Sequence, residues 1–116
     1  MSAQIRKYYP LLKKIVRMRN AARARTIKQC NKELIACISE CARNVIKGNV
    51  PLKNRQFATL QRRKKDVRAL ASKRTSLRKK RAIAASQKGG FLTSLLVPAV
   101  AALGSILANR LLPRRN

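Results

Sequence analysis

Eleven of the twenty residues from Arg62 to Arg81 are basic: Arg62, Arg63, Lys64, Lys65, Arg68, Lys73, Arg74, Arg78, Lys79, Lys80 and Arg81, with Asp66 the one acid among them. Guanidinium and ammonium groups at this density neutralise polyanions, because they displace the counterions condensed on a phosphate backbone and gain the entropy of their release. A solvated helix face usually mixes charge signs and is supported by Glu–Lys pairs. This run has almost none to form. We therefore read these eleven residues, with Lys88 beyond them, as a nucleic-acid-binding surface. Such clusters also serve as nuclear localisation signals.

The rest of the chain agrees. Its 116 residues hold 29 Lys and Arg against 3 acids and no His, a net charge of +26. Like charges at that density oppose a compact state unless a partner supplies counter-charge. Nucleic acid is the leading partner; an anionic membrane comes second, since it needs only a short basic cluster beside an apolar anchor. There is no Trp, and Tyr8, Tyr9, Phe57 and Phe91 are the whole aromatic complement, too few to form a stacking platform for single-stranded bases. No zinc-finger spacing or Gly-rich RNA motif is visible. Contacts should fall on phosphates with weak sequence preference, and about 8 of them would give a log–log salt slope of about −7.

Catalysis finds no support. General acid–base chemistry draws on His or on tuned pairs of carboxylates, whereas Glu33 and Glu40 lie two helical turns apart and Asp66 stands alone. The chain reads as a non-enzyme without a cofactor. Cys30, Cys37 and Cys41 recur at i, i+7 and i+11, one stripe of a single helix, which suits reduced core thiols. Zinc would need a fourth ligand that the chain does not offer there, so no metal is assigned.

These residues need helices to position them. Pro10 suits the first turn of a helix running to about Ala24, with Leu11, Leu12, Ile15, Val16 and Met18 inward and Lys13, Lys14, Arg17, Arg19, Arg23 and Arg25 on its surface. Thr26 can cap a second helix carrying Ile27, Cys30, Leu34, Cys37, Ile38, Cys41, Val45 and Ile46, ended by Gly48. A third helix from Asn54 sets Phe57, Leu60, Val67 and Leu70 against the second as a hairpin. Thr75 or Ser76 caps a short basic helix that fades by Gln87. The fold class is all-α: a small basic hairpin or three-helix unit with a basic helical extension and an apolar C-terminal helix.

At Gly89-Gly90 the character changes, for residues 89–109 carry no charge. The 18 residues from Phe91 to Ala108 sit near the lower limit for crossing a bilayer, but Pro98, Gly104, Thr93, Ser94 and Ser105 weaken that character. A segment that packs or touches membrane through 91–108 is favoured over a permanent anchor. Ala101, Gly104, Ser105 and Ala108 form a small-residue stripe open to close helix approach. The chain thus divides into a basic amphipathic helix (1–25), a hairpin domain (26–75), a basic extension with a Gly-Gly hinge (76–90), an apolar segment (91–109) and a basic tail (110–116).

A basic body, a Gly-Gly hinge, then Phe-Leu and a proline-containing Ala/Leu/Ile/Val tail resembles the adenovirus core protein X (mu precursor) family and the related core proteins of adenovirus-like and Polinton-type elements. The likeness is strongest over Arg78 to Leu107. It implies that Arg78 to Arg81 and Lys88 contact and condense double-stranded DNA in a virion core, in the host nucleus. It implies too that a viral maturation protease cuts within Gly89-Gly90-Phe91, between Gly90 and Phe91, and that capsid proteins are neighbours. Four residues before the cut, where that protease favours Met, Ile or Leu, this chain has Gln87.

The reading that results is a sequence-nonspecific protein that binds and condenses double-stranded DNA in a viral core, its apolar tail open to release by proteolysis. A membrane-active or membrane-anchored cationic protein is the first alternative and a ribosomal or other RNA-binding protein the second.

Overall fold

A computed structural model describes residues 3–86 and 90–111 of the chain, with side chains as far as Ser105 in the last helix. The described residues form α1 (Ala3–Arg17), α2 (Asn20–Gln29), α3 (Lys32–Ile46), α4 (Asn54–Arg62), α5 (Lys64–Ala71), α6 (Leu77–Ala85) and α7 (Phe91–Leu111). No strand occurs among them, as an all-α chain requires.

The local signals are ordinary capping chemistry. Asn31 opens α3 by accepting the Leu34 backbone N–H at 2.9 Å, and Ser76 opens α6 by accepting that of Lys79 at 3.2 Å. Gly48 closes the stretch after α3 at φ +78°, a conformation that costs glycine nothing. Gln56 reaches back to accept the Lys53 N–H at 2.8 Å, at the start of α4.

Packing unites the ends of the chain. α7 lies against α1, α3 and α4, while α3 is backed by α5 on its other contacts and α6 bridges α2 and α5. Phe91, Leu92, Leu95, Leu96, Ala99, Val100 and Leu103 are buried with Ile5, Leu12, Ile35, Ile38 and Leu70 in one hydrophobic cluster. The compositional boundary near Gly90 is therefore no packing boundary: the apolar α7 supplies much of the core that the basic helices cannot. Among the described residues no helix is long and apolar enough to cross a membrane.

Several expectations are corrected. Pro10 lies inside α1 rather than at its start; the Arg6 carbonyl it leaves without an intrahelical donor belongs to an exposed residue. Thr26 lies inside α2, its hydroxyl 3.5 Å from the Met18 sulfur, and the chain breaks instead at Cys30-Asn31. Cys30 is thus the C-cap of α2 and does not share a helix with Cys37 and Cys41. The third helix breaks at Arg63 into α4 and α5. Since α4 packs on α7 and only α5 packs closely on α3, Leu60, Val67 and Leu70 are buried but Phe57 is 56% exposed.

Candidate nucleic-acid interface

With so few acids, the basic residues find other partners. Arg23, expected on the surface, is buried: it donates to the backbone carbonyls of Ile15 (2.9 Å), Val16 (3.3 Å) and Met18, and to Asn20 Oδ1 at 3.0 Å. These carbonyls end α1, where the helix dipole is negative. Burial alone lowers the Arg23 pKa, though not enough to discharge a guanidinium. Arg43 likewise donates to the Ala71 carbonyl at the end of α5 (3.1 Å). Arg81 donates to the Cys30 carbonyl at the end of α2 (2.8 Å). Three cations are thus committed to helix ends, where carbonyls act as the missing anions.

The remaining basic groups are free to face a polyanion. Arg62, Lys64, Lys65, Arg68, Lys73, Arg74, Arg78 and Lys79 are exposed, while Arg63, Lys80 and Arg81 are half-buried. Lys88 and Gly89 lie outside the described residues. The exposed group runs from the end of α4 through α5 and the connecting turn into α6, and α5 packs on α6. Of the proposed contacts, Arg81 is the one with a structural role, its guanidinium already engaged. Lys80 is held below its ordinary range by burial first and then by the like charge of Arg43. An anion at that spot would relieve the repulsion.

A second basic surface lies on the N-terminal amphipathic helix. On α1, Arg6, Lys7, Lys13, Lys14 and Arg17 are all exposed; Lys7 and Lys13 stand 5.6 and 5.5 Å from the ring centres of Tyr8 and Tyr9. The acid nearest them is Glu33, which accepts from the Tyr8 hydroxyl at 2.7 Å and lies 4.0 Å from Lys7. α1 packs on α3 and α7, while α5 packs on α3 and α4 on α7.

At the hinge, Gly90 has φ +71°, its carbonyl accepts from the Thr93 hydroxyl at 3.0 Å, and Phe91 is 1% exposed. The bond proposed for cleavage thus joins an exposed glycine to a side chain locked in the core.

Cys30 stands beside Arg81, and the Cys37 thiol donates to the Gln4 carbonyl of α1 at 3.6 Å. Burial, then the charges of Glu40 and Glu33, pushes Cys37 up to about 11; burial, then Cys37 and Glu40, pushes Cys41 up to about 12. Neither is poised as a nucleophile. Among the described residues no group of His, Cys, Asp and Glu side chains is placed to hold a metal. The chain matches no protein-family model, no curated protein and no solved structure.

Proposed function

We propose that this protein binds double-stranded DNA through its phosphates, with little sequence preference, and compacts it by bridging. The observation that carries this reading is that exposed cations stand on separate helices, on α1 and along α4–α6, with α3 packed on α1, α5 and α6 and α7 packed on α1 and α4. Each can neutralise phosphates on its own. A small body with cations on separate helices can hold two duplexes at once, which is what condensation requires of a protein too small to wrap one. The virion core remains the setting we attach to this activity, on the resemblance of the basic body and Gly-Gly-Phe-Leu junction.

The test is a titration of duplex DNA at several salt concentrations, with light scattering to follow compaction. The reading expects tight binding at low salt, a slope near −7 from about 8 phosphate contacts, and loss of compaction before loss of binding when the five α1 cations are neutralised. Equal affinity in molar salt would defeat it. Preference for A-form RNA would favour the RNA-binding alternative, and binding to anionic liposomes that survives high salt would favour the membrane one.

A further inference from the structure

We infer that an apolar hollow between the end of α3, α4 and α5 docks an amphipathic helix from another protein, one that carries acidic residues beside its apolar stripe. The hollow encloses about 260 Å³. Ile46, Leu52, Phe57, Leu60 and Val67 form its walls, with Lys64 and Arg68 at its margin. Ile46 and Phe57, at 53% and 56%, are the most exposed of the large apolar side chains among the described residues. Nothing in α4 requires Phe57 outside. It is there because α4 turns its other side to α7.

The apolar surface does not stop at this hollow. Across Leu52, which both share, a second hollow of about 410 Å³ is lined by Pro51, Val97, Pro98, Ala101 and Ala102, and Val97 is itself 42% exposed. Of the four large apolar side chains exposed among the described residues, three lie along this pair of hollows. A continuous apolar patch on a highly charged protein marks an interaction site, and a groove between helices is the usual seat of an amphipathic helix.

Charge decides the occupant. Lys64 and Arg68 are one turn apart on α5 and both exposed, so they match carboxylates one turn apart on a bound helix. Asp66, on the same helix, does not line the hollow. A second copy of this chain would bring a further +26 to the contact. A bilayer, for its part, accepts protruding apolar side chains, whereas Phe57 and Ile46 line a concavity.

The probe is a fluorescent synthetic helix of about 15 residues, with leucines at i, i+3, i+4 and i+7 and glutamates alongside. Its control has the same composition scrambled. Binding to the full-length protein is measured at about 0.3 M sodium chloride, where the screening length is well below about 10 Å. The amphipathic peptide is expected to bind about tenfold or more tightly than the scrambled one, a difference of about 1.4 kcal/mol. I46A/F57A should bring the two within about twofold while leaving duplex DNA affinity and helix content unchanged, since both side chains are exposed. K64E/R68E should reverse the preference toward a peptide with lysines in place of the glutamates. The inference is overturned if both peptides bind alike or if I46A/F57A preserves the difference. It is also overturned if that variant weakens DNA binding, abolishes self-association or abolishes liposome binding with the peptide unaffected. DNA affinity is measured on the same samples, so a failure here and a failure of the DNA-binding proposal are told apart.

Discussion

The guanidinium of Arg81 in α6 donates to the backbone carbonyl of Cys30, 51 residues earlier at the end of α2, at 2.8 Å. That bond adds to the packing of α6 on α2 and puts a cation at the negative end of α2. Charged donors to backbone acceptors are worth about 1.5–3 kcal/mol, so R81A should lower the free energy of unfolding by about that much. R78A, one turn away and exposed, should leave stability unchanged and instead reduce the steepness of the salt dependence of DNA binding by about 0.9. Urea denaturation and salt titration of the two variants check both halves. Equal stability loss for the two would remove the structural role assigned to Arg81.

Arg23 presents the same device at the end of α1, more deeply buried. Replacing it with alanine leaves the carbonyls of Val16 and Met18 without this donor, while that of Ile15 keeps the Met18 N–H at 3.1 Å, and each unsatisfied acceptor costs about 1–3 kcal/mol unless water enters. R23A should therefore be more harmful than R81A. R23K should rescue little, because one ammonium cannot reproduce a planar fork spread over three carbonyls. Thermal unfolding of the three variants decides it, and an R23K protein as stable as the parent would show that only the charge matters.

Much of the fold could be read from spacing alone, and what could not has a common cause. The Asn54 start, the Ser76 cap, the Gly48 stop and the inward Leu60, Val67 and Leu70 are local features, set by a few adjacent residues. Phe57 could not be placed because its environment depends on whether α4 meets α3 or α7, a choice made by residues some 40 positions away. The apolar run from Phe91 has the same ambiguity: lipid and a neighbouring Ile5, Leu12 or Ile35 reward burial equally. Arg23 reads as surface because charge usually is, and only three convergent carbonyls make it otherwise. For the interface, the α4–α6 cations stand out by density. The α1 cations are fewer and spread over a longer helix, which from spacing reads as a cationic amphipath fit for phosphate or lipid.

Because α7 is core, a chain ending at Gly90 should not fold. Its loss would strip cover from Ile5, Leu12 and Ile35, and Phe91, Leu92, Leu95 and Leu96 are each at most 1% exposed in the intact protein. Even L95A alone is expected to cost about 2–5 kcal/mol. The truncated chain should show reduced helix content and no cooperative thermal transition, both visible by circular dichroism, while keeping salt-sensitive DNA binding through its charges. Cutting between Gly90 and Phe91 should correspondingly be slow in the intact protein and accelerate in mild denaturant. Rapid cleavage of the folded protein with the helical signal unchanged would show that the body does not need α7.

The buried thiols predict alkaline sensitivity. Their folded pKa values of about 11 for Cys37 and about 12 for Cys41 lie above the ordinary value of 9.0, so the unfolded chain loses these protons first as pH rises. Their contribution is complete below pH 9.0 and is lost as pH climbs through the folded values. Stability should fall progressively over that window, and C41A should fall less steeply than the parent whatever its stability at neutral pH. At pH 8, Cys30, half-buried at a helix end, should react with a thiol reagent before the other two. Parallel pH–stability curves for parent and C41A would contradict the assignment.

Tyr9 of α1 stands close against Gly104 of α7. A methyl group added at Gly104 would stand 2.6 Å from the Tyr9 hydroxyl oxygen, while the ring carbon behind it would be an ordinary 3.7 Å away. Glycine inside a helix costs about 1 kcal/mol relative to alanine, so with room available G104A would stabilise the protein. Here the overlap should cancel that gain or reverse it. Y9F removes only the obstructing oxygen, and in that background G104A should recover up to about 1 kcal/mol. The coupling between the two changes, read from urea denaturation of all four proteins, is the measurable quantity. A coupling of zero would mean that α7 does not approach α1 at this point, and with it would go this close contact between the apolar helix and the basic N-terminus.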